Sequence, residues 1–143
     1  MEKFKIEIWE KEGLNINFRP LNDIYIKKII KNINKKNNIP IFNHSHTSFF
    51  EELLKYMHYE LIFLEINMSQ GFKELISLLN LNLSENDYVD VIWNYNEAEQ
   101  FKYNILADYW EYIWYGASDE MCLIFIPNIE FPFVVTDYGT IYY

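Results

Sequence analysis

At 143 residues, with 21 acidic side chains against 12 basic ones, the chain carries a formal charge of −9. Half of it is hydrophobic and 19% is aromatic, while Gly and Pro number four each and Cys one. That length suits one globular domain over 1–143, and the composition excludes a disordered chain, a collagen-like repeat and a disulfide framework.

The longest apolar runs, Cys122–Ile126 and Leu61–Leu64, fall far short of the ~20 residues that span a bilayer. Residues 1–7 alternate charged and apolar side chains and lack a signal-peptide core. Cys122 has no Cys to pair with, which favours a reducing compartment. A cytoplasmic protein without membrane contact is expected.

In chain order, Lys3 to Lys11 places Phe4, Ile6 and Ile8 on one side and charges on the other, the period of a half-buried strand. Gly13 breaks that run and Leu14–Phe18 returns, closed by Pro20, so an N-terminal hairpin is predicted. Asn22 or Asp23 caps a helix through about Lys36, with Ile26, Ile29, Ile30 and Ile33 as its apolar stripe. The segment 35–40 ends it ahead of Pro40.

Ser48 and Glu51 have the spacing of a capping box. Phe50, Leu53, Leu54, Met57, Leu61 and Leu64 then fit a helix from Phe49 to about Asn67, although Tyr59–Ile66 equally reads as a buried strand. Ser69 opens a further helix through about Asn80, with Phe72, Leu75, Ile76 and Leu79 inward. Asp87–Tyr95 alternates as a strand, and 97–107 reads as a short helix.

From Tyr109 the aromatic density suits a pleated surface. Turns at 116–119, 127–128 and 137–139 separate strands Met121–Ile126, Phe131–Thr136 and Thr140–Tyr143. These predict an antiparallel meander. The predicted fold class is α+β, with an N-terminal hairpin, central helices and a C-terminal antiparallel β-meander.

Charge is divided unevenly. Residues 1–36 hold eight Lys and one Arg against five acids, a balance of +4, whereas 37–143 hold three Lys against sixteen acids, a balance of −13. No basic residue follows Lys102, yet Asp108, Glu111, Asp119, Glu120, Glu130 and Asp137 lie beyond it. Lacking a cation nearby in sequence, they are expected to be solvated or to face a partner. Like-charge repulsion costs stability, and an acidic surface speeds encounter with a basic partner.

The acids are interleaved with aromatics at 108–115. As a strand, this run puts Trp110, Tyr112 and Trp114 on one face. As a helix, it turns Leu106, Trp110, Ile113 and Trp114 inward and Asp108, Glu111, Tyr112 and Tyr115 outward. Tyr and Trp are favoured interface residues, and either geometry leaves an acidic, tyrosine-bearing surface beside a tryptophan core. The candidate binding residues are therefore Asp108, Glu111, Tyr112, Tyr115, Asp119 and Glu120, with Asp90, Glu130 and Asp137 in addition.

Chemical signatures are sparse. His44 and His46, two residues apart, form the nearest approach to a metal site, with His58 and carboxylates as further donors, but no second motif accompanies them. Cys122 sits in an apolar run without neighbouring cations. Ser118 lacks a nucleophile elbow, and no glycine-rich phosphate loop is present. The lysines at 27, 28, 31, 35 and 36 read as the solvated back of an amphipathic helix. Neither catalysis nor a cofactor is expected.

The small, acidic, tyrosine-rich and Cys-poor character, with Trp-Tyr-Gly-Ala-Ser-Asp-Glu at 114–120 and Thr-Asp-Tyr-Gly-Thr-Ile-Tyr-Tyr at 136–143, resembles the immunity proteins of bacterial polymorphic or contact-dependent toxin systems. The resemblance implies a protein that blocks a cognate toxin, often a basic nuclease, by covering its active site. A basic protein partner is then expected, with no direct nucleic acid, and a chain that is monomeric or weakly dimeric. Two other readings fit the residues: a nucleic-acid mimic that inhibits a DNA-binding protein, and a metal-dependent enzyme using His44 and His46.

Overall fold

A single seven-stranded sheet in the order β1-β4-β3-β5-β6-β7-β2 organises the molecule, and every neighbouring pair is antiparallel. In the computed structural model the described residues are 1–37, 49–116 and 119–143. The strands are β1 (Arg19–Pro20), β2 (Glu60–Ile62), β3 (Tyr88–Asn94), β4 (Glu97–Lys102), β5 (Met121–Ile126), β6 (Phe131–Thr136) and β7 (Thr140–Tyr142). The helices are α1 (Lys3–Glu12), α2 (Asp23–Asn37), α3 (Phe49–Leu54), α4 (Gly71–Leu78) and α5 (Tyr103–Ile113), with a 3-10 turn at Leu64–Asn67.

Alternation along the strands divides two cores. Val89, Val91, Cys122, Ile124, Phe133 and Val135 pack against Trp9 of α1, Phe72 and Leu75 of α4, and Leu106 and Trp110 of α5. On the opposite side Ile92, Leu123, Phe125 and Val134 pack against Ile26, Ile29, Ile30 and Ile33 of α2 and Leu53 of α3. The result is an α+β fold of three layers, helices on both sides of an antiparallel sheet. The C-terminal strands β5, β6 and β7 are sequential neighbours, which is the meander expected from the short turns.

The N-terminal hairpin is replaced by a helix. Gly13 is not a hairpin turn but a left-handed helix stop at φ 68°. Its amide donates to the Glu10 carbonyl and that of Leu14 to the Trp9 carbonyl, closing α1 with a Schellman motif. Helical spacing sends Lys5 and Trp9 inward, one turn apart, which the alternation of Phe4, Ile6 and Ile8 had hidden. The segment 97–107 is also corrected: it is strand β4 followed by the start of α5. Asn94 Oδ1 accepts the Asn96 amide at 2.8 Å, turning the chain from β3 into β4.

The long helix expected from Phe49 ends at Leu54, and β2 pairs instead with β7. Within Tyr59–Ile66 a strand does form at Glu60–Ile62, but at the sheet edge with Glu60 and Ile62 exposed rather than buried, and the 3-10 turn follows. The Ser48 member of the capping box lies outside the described residues. Helix α4 starts two residues past Ser69, at Gly71, and carries no side-chain cap. A side chain at Gly71 would collide with the Ile66 carbonyl, so glycine lets α4 close onto the 3-10 turn. Helix α2 begins as expected, with Asn22 Oδ1 accepting the Tyr25 amide at 2.8 Å.

All four tryptophans give their indole N–H to an acceptor. Trp9 donates to the Tyr112 carbonyl, Trp110 to the Ile66 carbonyl, Trp114 to Asn67 Oδ1 and Trp93 to Glu99. Trp93, Trp114 and Trp110 stack in sequence at 6.3 and 5.8 Å. Burying such rings with their polar edge satisfied captures the apolar gain without an orphaned donor. Among the described residues no helix is long and apolar enough to cross a membrane.

Candidate functional site

Helix α5 decides how the acidic aromatic segment is presented. Its inner face buries Leu106, Trp110 and Ile113, and Trp114 follows at its end. Asp108 and Glu111 are thereby exposed, with Tyr112 and Tyr115 half-buried beside them. Of the two geometries open from sequence, the helical one is found. A break in helical backbone at Tyr109, φ −125°, separates the first turns of α5 from the last.

The C-terminus of α1 completes this surface. Tyr112 donates its hydroxyl to Glu12 Oε2 at 3.3 Å, and the carboxylates of Glu12 and then Glu111 push its phenol above the ordinary value. The Tyr115 phenol is raised first by burial and then by Glu12. A negative charge is disfavoured where negative charges already converge. Glu12 belongs to the basic N-terminal quarter, residues 1–36; only the folding of α1 against α5 brings it here. No spacing in the sequence signals that approach.

The remaining candidates separate into three groups. Glu120 and Asp137 sit side by side at the end of the β5–β6 pair, where the Asp137 amide donates to the Glu120 carbonyl at 3.0 Å. Glu130 occupies the turn at the other end of that hairpin, roughly 17 Å away at about 3.4 Å per residue. Asp90 and Asp119 are buried. The expectation that the acids after Lys102 lack a cation is wrong for Asp119, because sequence proximity is not spatial proximity.

Asp119 is paired internally. Its Oδ2 lies 2.7 Å from Lys5 Nζ, which is only 1% exposed, and also accepts the Tyr115 amide at 2.8 Å. The Lys5 ammonium rests 4.3 Å from the Trp93 ring centre, a cation–π contact in a dry setting. On the other edge of the same indole, Glu99 accepts from Trp93 Nε1 and faces the Met1 ammonium. The Lys5–Asp119 and Met1–Glu99 pairs thus both reach Trp93, the first through the Lys5 cation–π contact and the second through the Glu99 hydrogen bond, tying α1 to β3, β4 and the segment after α5.

Asp90 is held by another network on the α2 side of the sheet. Gln100 Nε2 donates to its Oδ1 at 2.7 Å and the Tyr25 hydroxyl to its Oδ2 at 3.0 Å. Burial raises its carboxyl despite both bonds, and the nearby carboxylate, after burial, helps push Tyr25 up to about 12. Neither Asp90 nor Asp119 is available to an external partner in this arrangement.

Little points to catalysis or metal among these groups. Among the described residues no three His, Cys, Asp or Glu side chains converge on a common point. His44, His46 and Ser118 lie outside the described residues. Cys122 is fully buried in β5, and burial pushes its thiol well above the ordinary value, the opposite of an activated nucleophile. No known protein family, curated protein or solved structure matches the chain.

Proposed function

We propose that this protein is a binding module that neutralises a basic partner, in the manner of the immunity proteins it resembles. The observation that supports the reading is the outer surface of α5: Asp108 and Glu111 exposed on the helix and Glu12 of α1 beside Tyr112, whose phenol is raised by Glu12 and also by Glu111. Tyr112 and Tyr115 supply large, rigid side chains at low entropic cost, and the carboxylates supply attraction and discrimination. Glu120 and Asp137 extend the acidic character past the end of α5, while Asp90, Asp119 and Glu130 are left out of the contact. The module needs no chemistry of its own; it acts by covering a cationic cleft.

The test is capture of a partner from host extract by the wild-type protein and by the Asp108→Lys, Glu111→Lys, Tyr112→Ala variant, followed by affinity measurement with the identified partner. The expected partner is a basic protein that the triple variant fails to retain. Affinity should fall steeply between about 0.1 and 1 M ionic strength, mainly through slower association. An affinity insensitive to salt would end the electrostatic mechanism.

A further inference from the structure

A second site, of opposite charge, lies where β1, the end of β4 and the start of α5 meet. A cavity of about 450 Å³ opens there, lined in part by Arg19, Lys102, Gln100, Asn104 and Tyr88. Its volume is within the ~300–1,000 Å³ usual for small-molecule sites. In a chain of charge −9 its lining contains no carboxylate among the described residues and holds the only arginine and the last lysine of the sequence. The two cations come from strands β1 and β4, and neither is ion-paired among the described residues.

The arginine is held from beneath. Gln100 Oε1 accepts from Arg19 Nη2 at 2.8 Å, and the other end of that buried amide is bound to Asp90, itself bound by Tyr25. An exposed arginine on a two-residue edge strand would otherwise sample many rotamers. Here a chain of hydrogen bonds, anchored by the buried Gln100–Asp90 contact, orients the fork and leaves its remaining N–H groups for a ligand, so that less entropy is lost on binding. The buried polar residues Asp90 and Gln100 thereby gain a purpose that core packing does not give them.

Two further features narrow the ligand. Asn104 Oδ1 is buried without a hydrogen-bond partner and asks for a donor. Tyr88, 52% exposed, stands opposite Lys102 in the β3–β4 register and offers an aromatic face on the cavity wall. We infer that this cavity binds a small phosphate-bearing molecule with a planar ring, of the mononucleotide class. The phosphate meets Arg19 and Lys102, the ring lies against Tyr88, and a ligand N–H or O–H satisfies Asn104. Gln100 and Asp90 are positioning residues for Arg19. This inference is independent of the α5 surface.

The experiment is calorimetric titration of the intact protein with adenosine, guanosine and uridine monophosphates and with inorganic phosphate. At least one nucleotide is expected to saturate a single site about tenfold more tightly than phosphate, and to weaken about tenfold in Arg19→Gln and in Lys102→Gln. Both positions are exposed, so these variants fold, and Lys31→Gln, which removes an exposed lysine on α2, should leave the nucleotide affinity unchanged. Absence of saturable nucleotide binding up to about 1 mM, or binding indifferent to both substitutions, overturns the inference. Equal affinity for phosphate and the nucleotides overturns the assignment of the ring to Tyr88.

Discussion

Asp119 and Glu111 belong to the same lysine-free stretch, yet the molecule uses them in opposite ways. Asp119 is buried against Lys5, beside the Trp93 ring, in a junction that ties α1 to the sheet. Glu111 is exposed on α5, where its charge adds to that of Glu12 around Tyr112. A buried charge must have its partner close by because water no longer screens or solvates it, whereas a solvated one tolerates like-charged neighbours at modest cost. The contrast teaches that a run of unpaired acids in a sequence does not form one surface; topology assigns each acid to the inside or the outside.

The largest expected effect comes from breaking the buried side of this comparison. Lys5→Ala removes the cation 2.7 Å from the buried Asp119 carboxyl and is expected to cost about 3–5 kcal/mol in urea unfolding. Glu111→Ala should leave the unfolding midpoint where it is. A Lys5→Met, Asp119→Leu pair, which removes both charges, is expected to recover much of the loss, apart from the acceptor that Tyr115 loses.

Tyr25→Phe tests the second buried network and should cost about 1.5–3 kcal/mol at neutral pH, the range for a hydrogen bond to a charged group. The Asp90 carboxyl already lies above 3.8 because of burial, and the Tyr25 hydrogen bond holds it down. Losing that bond raises it further, so the native variant takes up a proton more readily than the wild type. The deficit of the variant therefore opens as pH rises past the raised Asp90 carboxyls of the two native proteins and has already closed by the time pH falls to 3.8, which unfolding curves at several pH values will show.

Gly13→Ala probes the stop of α1. No atom lies within 4 Å of an added Cβ, so the whole cost is the left-handed backbone, roughly 1–2 kcal/mol by thermal or chemical unfolding. The smallest effect concerns the exposed side alone. Glu12→Gln is expected to lower the Tyr112 phenol toward 10.0 without changing the unfolding midpoint, as followed by ultraviolet titration of tyrosinate.

Several elements were legible because their signal is local. The stripe Ile26, Ile29, Ile30 and Ile33 makes α2, alternation makes β3, and apolar runs bounded by turns make β5 and β6. Reading failed where polar residues face inward. Lys5 in α1 and Glu99 and Gln100 in β4 are buried through partners, which inverts the apolar pattern that periodicity relies on. The Schellman signal at Gly13 was present in the sequence but equally suits a hairpin turn.

Of the candidate site, the helical face of Asp108, Glu111, Tyr112 and Tyr115 was readable as one of two geometries, since residues three and four apart share a helix face. The removal of Asp119 and Asp90 from it was not. Their partners Lys5 and Tyr25 lie 114 and 65 residues away along the chain. The meeting of Arg19 with Lys102 was equally invisible, because it depends on β1 joining β4.

Composition, charge balance and hydrophobic period by themselves determined that this is an acidic, aromatic-rich α+β domain with a C-terminal meander, since these quantities are set residue by residue. Tertiary structure alone decided which charges are neutralised in the core, which are displayed around Tyr112, and which cations gather at a cavity. Coulomb energy and desolvation depend on distance and burial in space, and chain order records neither.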